Sequence, residues 1–160
     1  MIQHDTSGPD ANRAGTNRAG TNRAGTNRAG TNQAVTERTA RDDATTAISA
    51  LLDRWADGIR RRDLEHIAAQ FTPDALFQGF DPEPSFGRDA VSAYYGKQPV
   101  GLTAEHTLIR TSALGDDAAL GYAAVRFDRP GGPVNVYLTI VAVREEGRWL
   151  ISHYHVSRVQ

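Results

Sequence analysis

Four consecutive segments after Pro99 constrain this chain more than any other feature. "LTAEHTLIRTSALG", "AALGYAAVRFDRP", "PVNVYLTIVAVREE" and "RWLISHYHVSRV" alternate with period two. Alternate side chains of a strand share a face, so each segment reads as a long β-strand. The connections "DD", "GG" and "EGR" carry hairpin-turn residues. The predicted result is an antiparallel meander. In the third segment Val134, Val136, Leu138, Ile140 and Ala142 share one face. Asn135, Tyr137, Thr139, Val141 and Val143 share the other. Both faces are largely apolar, whereas an antiparallel sheet with one solvated face is polar there. Either the outer face is covered, most simply by a second copy of the chain, or the strand is simply rich in β-formers.

Upstream the period changes. In "DDATTAISALLDRWADGIRRRD", Ile48, Leu51, Leu52, Trp55 and Ile59 form one apolar helical stripe. Asp42, Asp43 and Thr45 are expected to cap its start. Arg60, Arg61 and Arg62 fall at its end, where the helix dipole favours cations. That placement accounts for the triplet more simply than RNA binding does. Asp63 is expected to cap a short second helix, "LEHIAAQF", and "TPD" then breaks the chain. "ALFQGF" reads as a short strand, "DPEPSFG" as a loop because of its prolines, and "RDAVSAYYGKQ" as a third helix with Val91, Tyr94 and Tyr95 inward. Helices followed by a run of strands indicate an α+β domain. The expected order is α-α-β-α-β-β-β-β, with a curved antiparallel sheet wrapped around the helices.

Residues 1–43 differ from the rest. "ANRAG TNRAG TNRAG TNRAG TNQAV" repeats a five-residue unit with no aliphatic larger than Ala before its last residue. Such a segment cannot offset its ordering entropy by burial, and recurrent glycine opposes a helix. A disordered tail over 1–43 and one folded domain over 44–160 are expected. The evenly spaced arginines could touch an anionic surface; a solvated linker is the simpler account. The tail holds six Arg against five acidic residues, and the remainder twelve basic against fourteen acidic. Neither part has the basic excess of a nucleic-acid binder. There is no cysteine, hence no disulfide or thiolate chemistry within the chain. No apolar run approaches the ~20 residues of a membrane span, and the N-terminus lacks the pattern of a secretory signal. A cytoplasmic protein without nucleic-acid or membrane partners is the expectation.

Together, "LLDRWADGIRRRDLEHIAAQFTPDALF", "GRDAVSAYY", the meander and the closing "EGRWLISHYHVSRV" resemble the nuclear transport factor 2-like superfamily, in its SnoaL-like and ketosteroid-isomerase-like branch. The ending is also similar to the association domain of calcium/calmodulin-dependent kinase II. The resemblance covers about residues 44–159. It implies a cone-shaped fold with an apolar pocket at the wide end and dimerisation through the outer sheet face. Activities in the superfamily include isomerisation, cyclisation, epoxide hydrolysis and dehydration; many members only bind a ligand or assemble. The fold hosts too many functions to assign one.

The isomerases place a carboxylate base just after the first short strand. The matching position here is about Gly79, which cannot take a proton; Asp81, two residues on, reads as a solvent-exposed turn residue. They also place an oxyanion-stabilising Tyr on the first helix, where Trp55 stands with only an indole N–H to offer. A true ketosteroid isomerase is therefore disfavoured. On the last strand Trp149, Ile151, His153, His155 and Ser157 share one phase, and Trp149 and Ile151 look core-like. That phase is expected to face the pocket. His155 or His153 then becomes the candidate base of a cofactor-free acid–base site, or wall material that satisfies its nitrogens on neighbouring strands. Trp55, Phe77, Tyr94, His106, Tyr122 and Trp149 are the expected pocket residues, with Tyr95, Tyr137 and Tyr154 as further hydroxyls. Three histidines, His106 included, would suffice for zinc. Glu105 points the other way, however, and no metal is expected. The ligand class that fits is a small apolar or aromatic molecule. The alternative is a non-catalytic oligomerisation or ligand-binding module.

Overall fold

A computed structural model describes residues 24–159, with side chains from residue 28. The chain divides into two units, Met1–Ala34 and Val35–Gln160. The first contributes helical residues from Ala24, and residues 28–34 are all exposed. The second is the folded domain. Its elements are α1 (Ala24–Arg61, continuous from the first unit), α2 (Leu64–Ala68), β1 (Phe71–Gln78), β2 (Ser85–Phe86), α3 (Arg88–Gly96), β3 (Thr103–Ala113), β4 (Ala118–Asp128), β5 (Val134–Glu145) and β6 (Arg148–Arg158). No described helix is long and apolar enough to cross a membrane.

α1 begins earlier than its expected caps. Residues 24–43, expected as part of a disordered tail, are drawn as helix, and none of residues 35–43 is buried; residues 1–23 lie outside the described residues. The physical reason is local. Once a packed helix exists, each added residue bears no nucleation cost. The hydroxyls of Thr39, Thr45 and Thr46 donate to the carbonyls of Val35, Arg41 and Asp42 within the helix (2.9–3.0 Å), so they do not compete with it from outside. Gly30 is tolerated at a cost of about 1 kcal/mol relative to Ala. Burial starts at Ala44, and the stripe Ile48, Leu51, Leu52, Trp55 and Ile59 is buried as its spacing predicts. Asp63 accepts the His66 N–H at 2.9 Å and caps α2.

The sheet has the order β2-β1-β6-β5-β4-β3. β3 to β6 form the antiparallel meander expected from the period-two pattern. Two features differ from expectation. β1 starts at Phe71 and runs parallel to β6, so the sheet is mixed. Ser85 and Phe86, read as loop, pair with Phe77 and Leu76 as the edge strand β2. Two residues suffice there because an edge strand bonds on one side only, which leaves Pro82 and Pro84 outside the ladder.

An irregularity in β6 decides which face its end presents to the core. Val141 pairs with His153 and Ala142 with Ile151, so Ser152 is an extra residue. A bulge of this kind shifts the phase of the strand by one. Ile151, Tyr154 and Val156 are buried, opposite Ala142, Ile140 and Leu138, all buried as well. His153 and His155 lie on the other face, opposite Val141 and Thr139.

Candidate functional site

The inner face carries a cluster of aromatic rings. Phe77 of β1 stacks on Tyr154 of β6 at 4.6 Å and 11°. Trp55 meets Tyr154 at 5.9 Å and Phe127 edge-on at 6.0 Å. A hydrogen-bond chain runs through the cluster: Trp55 Nε1 donates to Tyr95 Oη (2.9 Å), and Tyr95 O–H donates to Tyr154 Oη (3.3 Å). Burial raises the pKa of both phenols above its ordinary value, so they are donors at neutral pH, not bases. Tyr94 is only half-buried. Desolvation again raises its pKa, opposed by the Phe80 N–H that it accepts at 3.0 Å and by Arg158 and Arg129 nearby.

Beside this cluster lies a small cavity walled by Phe80, Tyr94, Leu102, Phe127, Tyr154 and Val156, with Tyr95, Gln98 and Arg129 completing it. Its free volume is about 10 Å³, room for roughly one water. The wall is mostly carbon. Arg158, the last residue of β6, lies with its guanidinium carbon 4.6 Å from the Phe80 ring centre.

The expected site residues are only partly brought together. Tyr94 lines the cavity. Trp55 and Phe77 stand behind the wall, fully buried in the core. Tyr122 is on the outer face, stacked on Tyr137 at 5.5 Å. Trp149 is at the other end of β6, under Arg144 and beside Ala47 and Ala50 of α1. His153 and His155, expected as base candidates, face outward, because the bulge at Ser152 reverses the phase on which that expectation rested. Histidines 106, 153 and 155 therefore do not converge. Among the described residues no group of three or more metal-ligating side chains is gathered.

His106 does face inward, opposite buried Val125. It does not line the cavity. Its Nε2 lies 2.9 Å from Asp53 Oδ1 of α1, with the imidazole 14% exposed and the carboxylate 72%. This pair is the one inward imidazole on the sheet among the described residues, and fifty-three positions separate its members. The carboxylate adjacent to His106 in the chain, Glu105, alternates to the opposite face of β3. Asp53 carries a signal in hindsight: it borders the apolar stripe of α1 on one flank, next to Leu52.

Gly79, about where the family resemblance leads one to expect a carboxylate, is closely approached by α3. A Cβ there would lie 2.5 Å from the Tyr94 ring, closer than real contacts allow. The Tyr94 phenol occupies the space into which a side chain from position 79 would project.

Solved structures share this fold. A candidate scytalone dehydratase from Novosphingobium aromaticivorans superposes with a TM-score of 0.65 at 18% identity, covering 72% of this chain and 84% of that one. A ketosteroid isomerase-like protein from Erwinia carotovora atroseptica gives 0.64 at 17%, covering 72% and 95%. A type 2 hexachlorocyclohexane dehydrochlorinase gives 0.66 at 16%, covering 77% and 90%. At such identities the likeness concerns the fold. No curated protein matches the chain. The SnoaL-like domain family matches residues 48–160, which hold α1 from Ile48 onward, α2, α3 and the whole sheet, and the chain belongs to that family.

Proposed function

We propose that this domain binds a small apolar or aromatic molecule at the cavity between α3 and the open end of the sheet. The observation that supports it is a recess walled by Phe80, Leu102, Phe127 and Val156, with Tyr94 and Tyr154 also in its lining. Apolar walls with a few placed polar groups are what small-ligand sites require. A benzene-sized guest needs on the order of 150 Å³, so entry requires Phe80 and Arg158 to swing outward. Arg158 is exposed, and half-buried Phe80 would give up its edge-on contact with Phe127 at 6.0 Å. Titrating the full chain with toluene is expected to move the amide resonances of Tyr95, Leu102, Phe127 and Val156, and to leave those of the outer sheet face unchanged. Absence of saturable shifts at these four positions would sink the reading.

A second reading, catalysis, is favoured by one observation, the 2.9 Å contact between His106 and Asp53. A carboxylate that orients an imidazole is a general-base arrangement, and dehydration and dehydrochlorination, named for two of the structural neighbours, both begin or proceed by proton removal from carbon. His106 is one inward position along β3 from Ala104, which pairs with the cavity residue Phe127, about 7 Å away by strand geometry. On this reading His106→Ala abolishes turnover of a ligand that the cavity retains, with its affinity little changed. Equal turnover by the variant would eliminate His106 as the base.

The domain is further proposed to pair with a second copy through the outer sheet face. Tyr137 is 40% and Ile109 53% exposed, and Leu120, Tyr122 and Val141 share that face with them, half-buried. A patch of this kind is what a symmetric partner covers.

A further inference from the structure

Every polar side chain around the cavity can donate a hydrogen bond, and Gln98 also offers an amide oxygen. Tyr94 Oη accepts the Phe80 N–H, and its own proton meets no acceptor among the described residues. Tyr154 Oη, 2% exposed as a residue, accepts from Tyr95; its proton is likewise unspent. The chain starts at an indole, which can only donate, so the direction of donation runs from Trp55 through Tyr95 to Tyr154 and ends at the cavity wall.

Two cations stand at the same place. Arg129 follows β4 and lines the cavity. Arg158 continues the inward phase of β6 after Tyr154 and Val156, opposite Val136, and covers Phe80. Neither guanidinium has a hydrogen-bond or ion-pair partner among the described residues. That sets them apart from Arg60, Arg61, Arg126 and Arg144, which are all paired with aspartates. Both charges act on the Tyr94 hydroxyl, against the single carboxylate of Asp81. Two cations oppose one anion there, and Asp81 is exposed. Gln98 adds an amide whose NH₂ group is already donated to the Tyr94 carbonyl at 3.3 Å.

We propose that the cavity selects small aromatic or apolar molecules bearing a carboxylate, held by Arg129 and Arg158 with the Tyr94 and Tyr154 hydroxyls as further donors. The proposal rests on the binding reading above and adds the ligand class. An apolar recess receives the ring. An anion at its mouth satisfies donors that the protein leaves unspent, and guanidinium–carboxylate bonds are charge-assisted and directional.

The test compares benzoate with its neutral isostere benzamide on the full chain by calorimetry or amide shifts. Benzoate is expected to bind at least about tenfold more tightly. In the double variant R129Q/R158Q, with its fold checked by circular dichroism, the ratio is expected to fall to near one. Because Arg158 is exposed and Arg129 is half-buried outside any strand, the variant is expected to fold. Equal binding of the two probes by the native chain would overturn anion selection and leave the apolar site standing. A preference that survives in the double variant would overturn the assignment to these arginines. If toluene, benzoate and benzamide are all silent, the binding reading fails and this proposal with it.

Discussion

Trp55→Ala is expected to lower the unfolding free energy by about 3–5 kcal/mol. Three losses combine. The indole is fully buried at the centre of the core, and its removal leaves a cavity that the curved sheet cannot close. Its contacts with Phe127 and Tyr154 disappear, each worth about 0.5–1.5 kcal/mol beyond area. The N–H that starts the buried hydroxyl chain is lost as well. Against a total stability of about 5–15 kcal/mol for a domain of this kind, the variant is marginal. Trp55→Phe separates the terms: it keeps most of the ring volume and removes the donor, and is expected to cost about 1–3 kcal/mol. Urea denaturation followed by far-ultraviolet circular dichroism measures both. A loss below 1 kcal/mol in Trp55→Ala would mean that α1 is not held in the sheet as described.

The ease with which Trp55 was recognised contrasts with the histidines. The helix stripe is local: five apolar residues at helical spacing tell which face is buried whatever it packs against. The faces of β5 were equally legible, because its alternation is unbroken from Val134 to Ala142. β6 is not unbroken. Its buried residues Leu150, Ile151, Tyr154 and Val156 include neighbours and a spacing of three, which no regular strand can place on one face. That spacing is the trace of the bulge at Ser152, and it was present in the sequence. The expectation weighed Trp149 instead, a half-buried ring under Arg144 at the start of the strand. One residue of register thus decided whether two imidazoles could be bases.

The rest of the site lay beyond a local reading for a different reason. The cavity is assembled from the segment between β1 and β2, the end of β4, the end of β6, α3 and the segment between α3 and β3. Phe127 and Val156 were legible as inward residues, yet nothing in either segment says that they meet Leu102. Asp53 and His106 are joined only by the packing of α1 on an edge strand. Likewise the Tyr94 ring lies against Gly79 because α3 is brought there by the fold. The sequence showed that position 79 had no acid; the fold shows that it has no room for one.

If the domain pairs through its outer sheet face as proposed, Val141→Arg is expected to convert that dimer into a monomer. Val141 lies near the middle of the outer face, between Leu120 of β4 and His153 of β6. The face is large enough for the task. Five long strands about 4.8 Å apart and roughly ten residues long span about 800 Å², which is the share one partner contributes to a standard interface. Its centre is apolar, with Tyr122 stacked on Tyr137, and no Asp or Glu of β5 or β6 lies beside Val141 to neutralise a guanidinium. An arginine there would be desolvated without a partner, which costs about 2–5 kcal/mol on association, a weakening of about 30-fold to several-thousand-fold in Kd. Because the side chain projects away from the core, the thermal midpoint of the monomer is expected to stay within a few degrees. Sedimentation velocity over a concentration series reads the outcome directly. A native chain that sediments as a monomer at all concentrations would remove the paired face, and the exposed Tyr137 and Ile109 would then need a different partner. A variant that remains dimeric would move the interface to another surface. His153 and His155 sit on this same face, so the answer also decides what they touch: a second sheet if the chain pairs there, water if it does not.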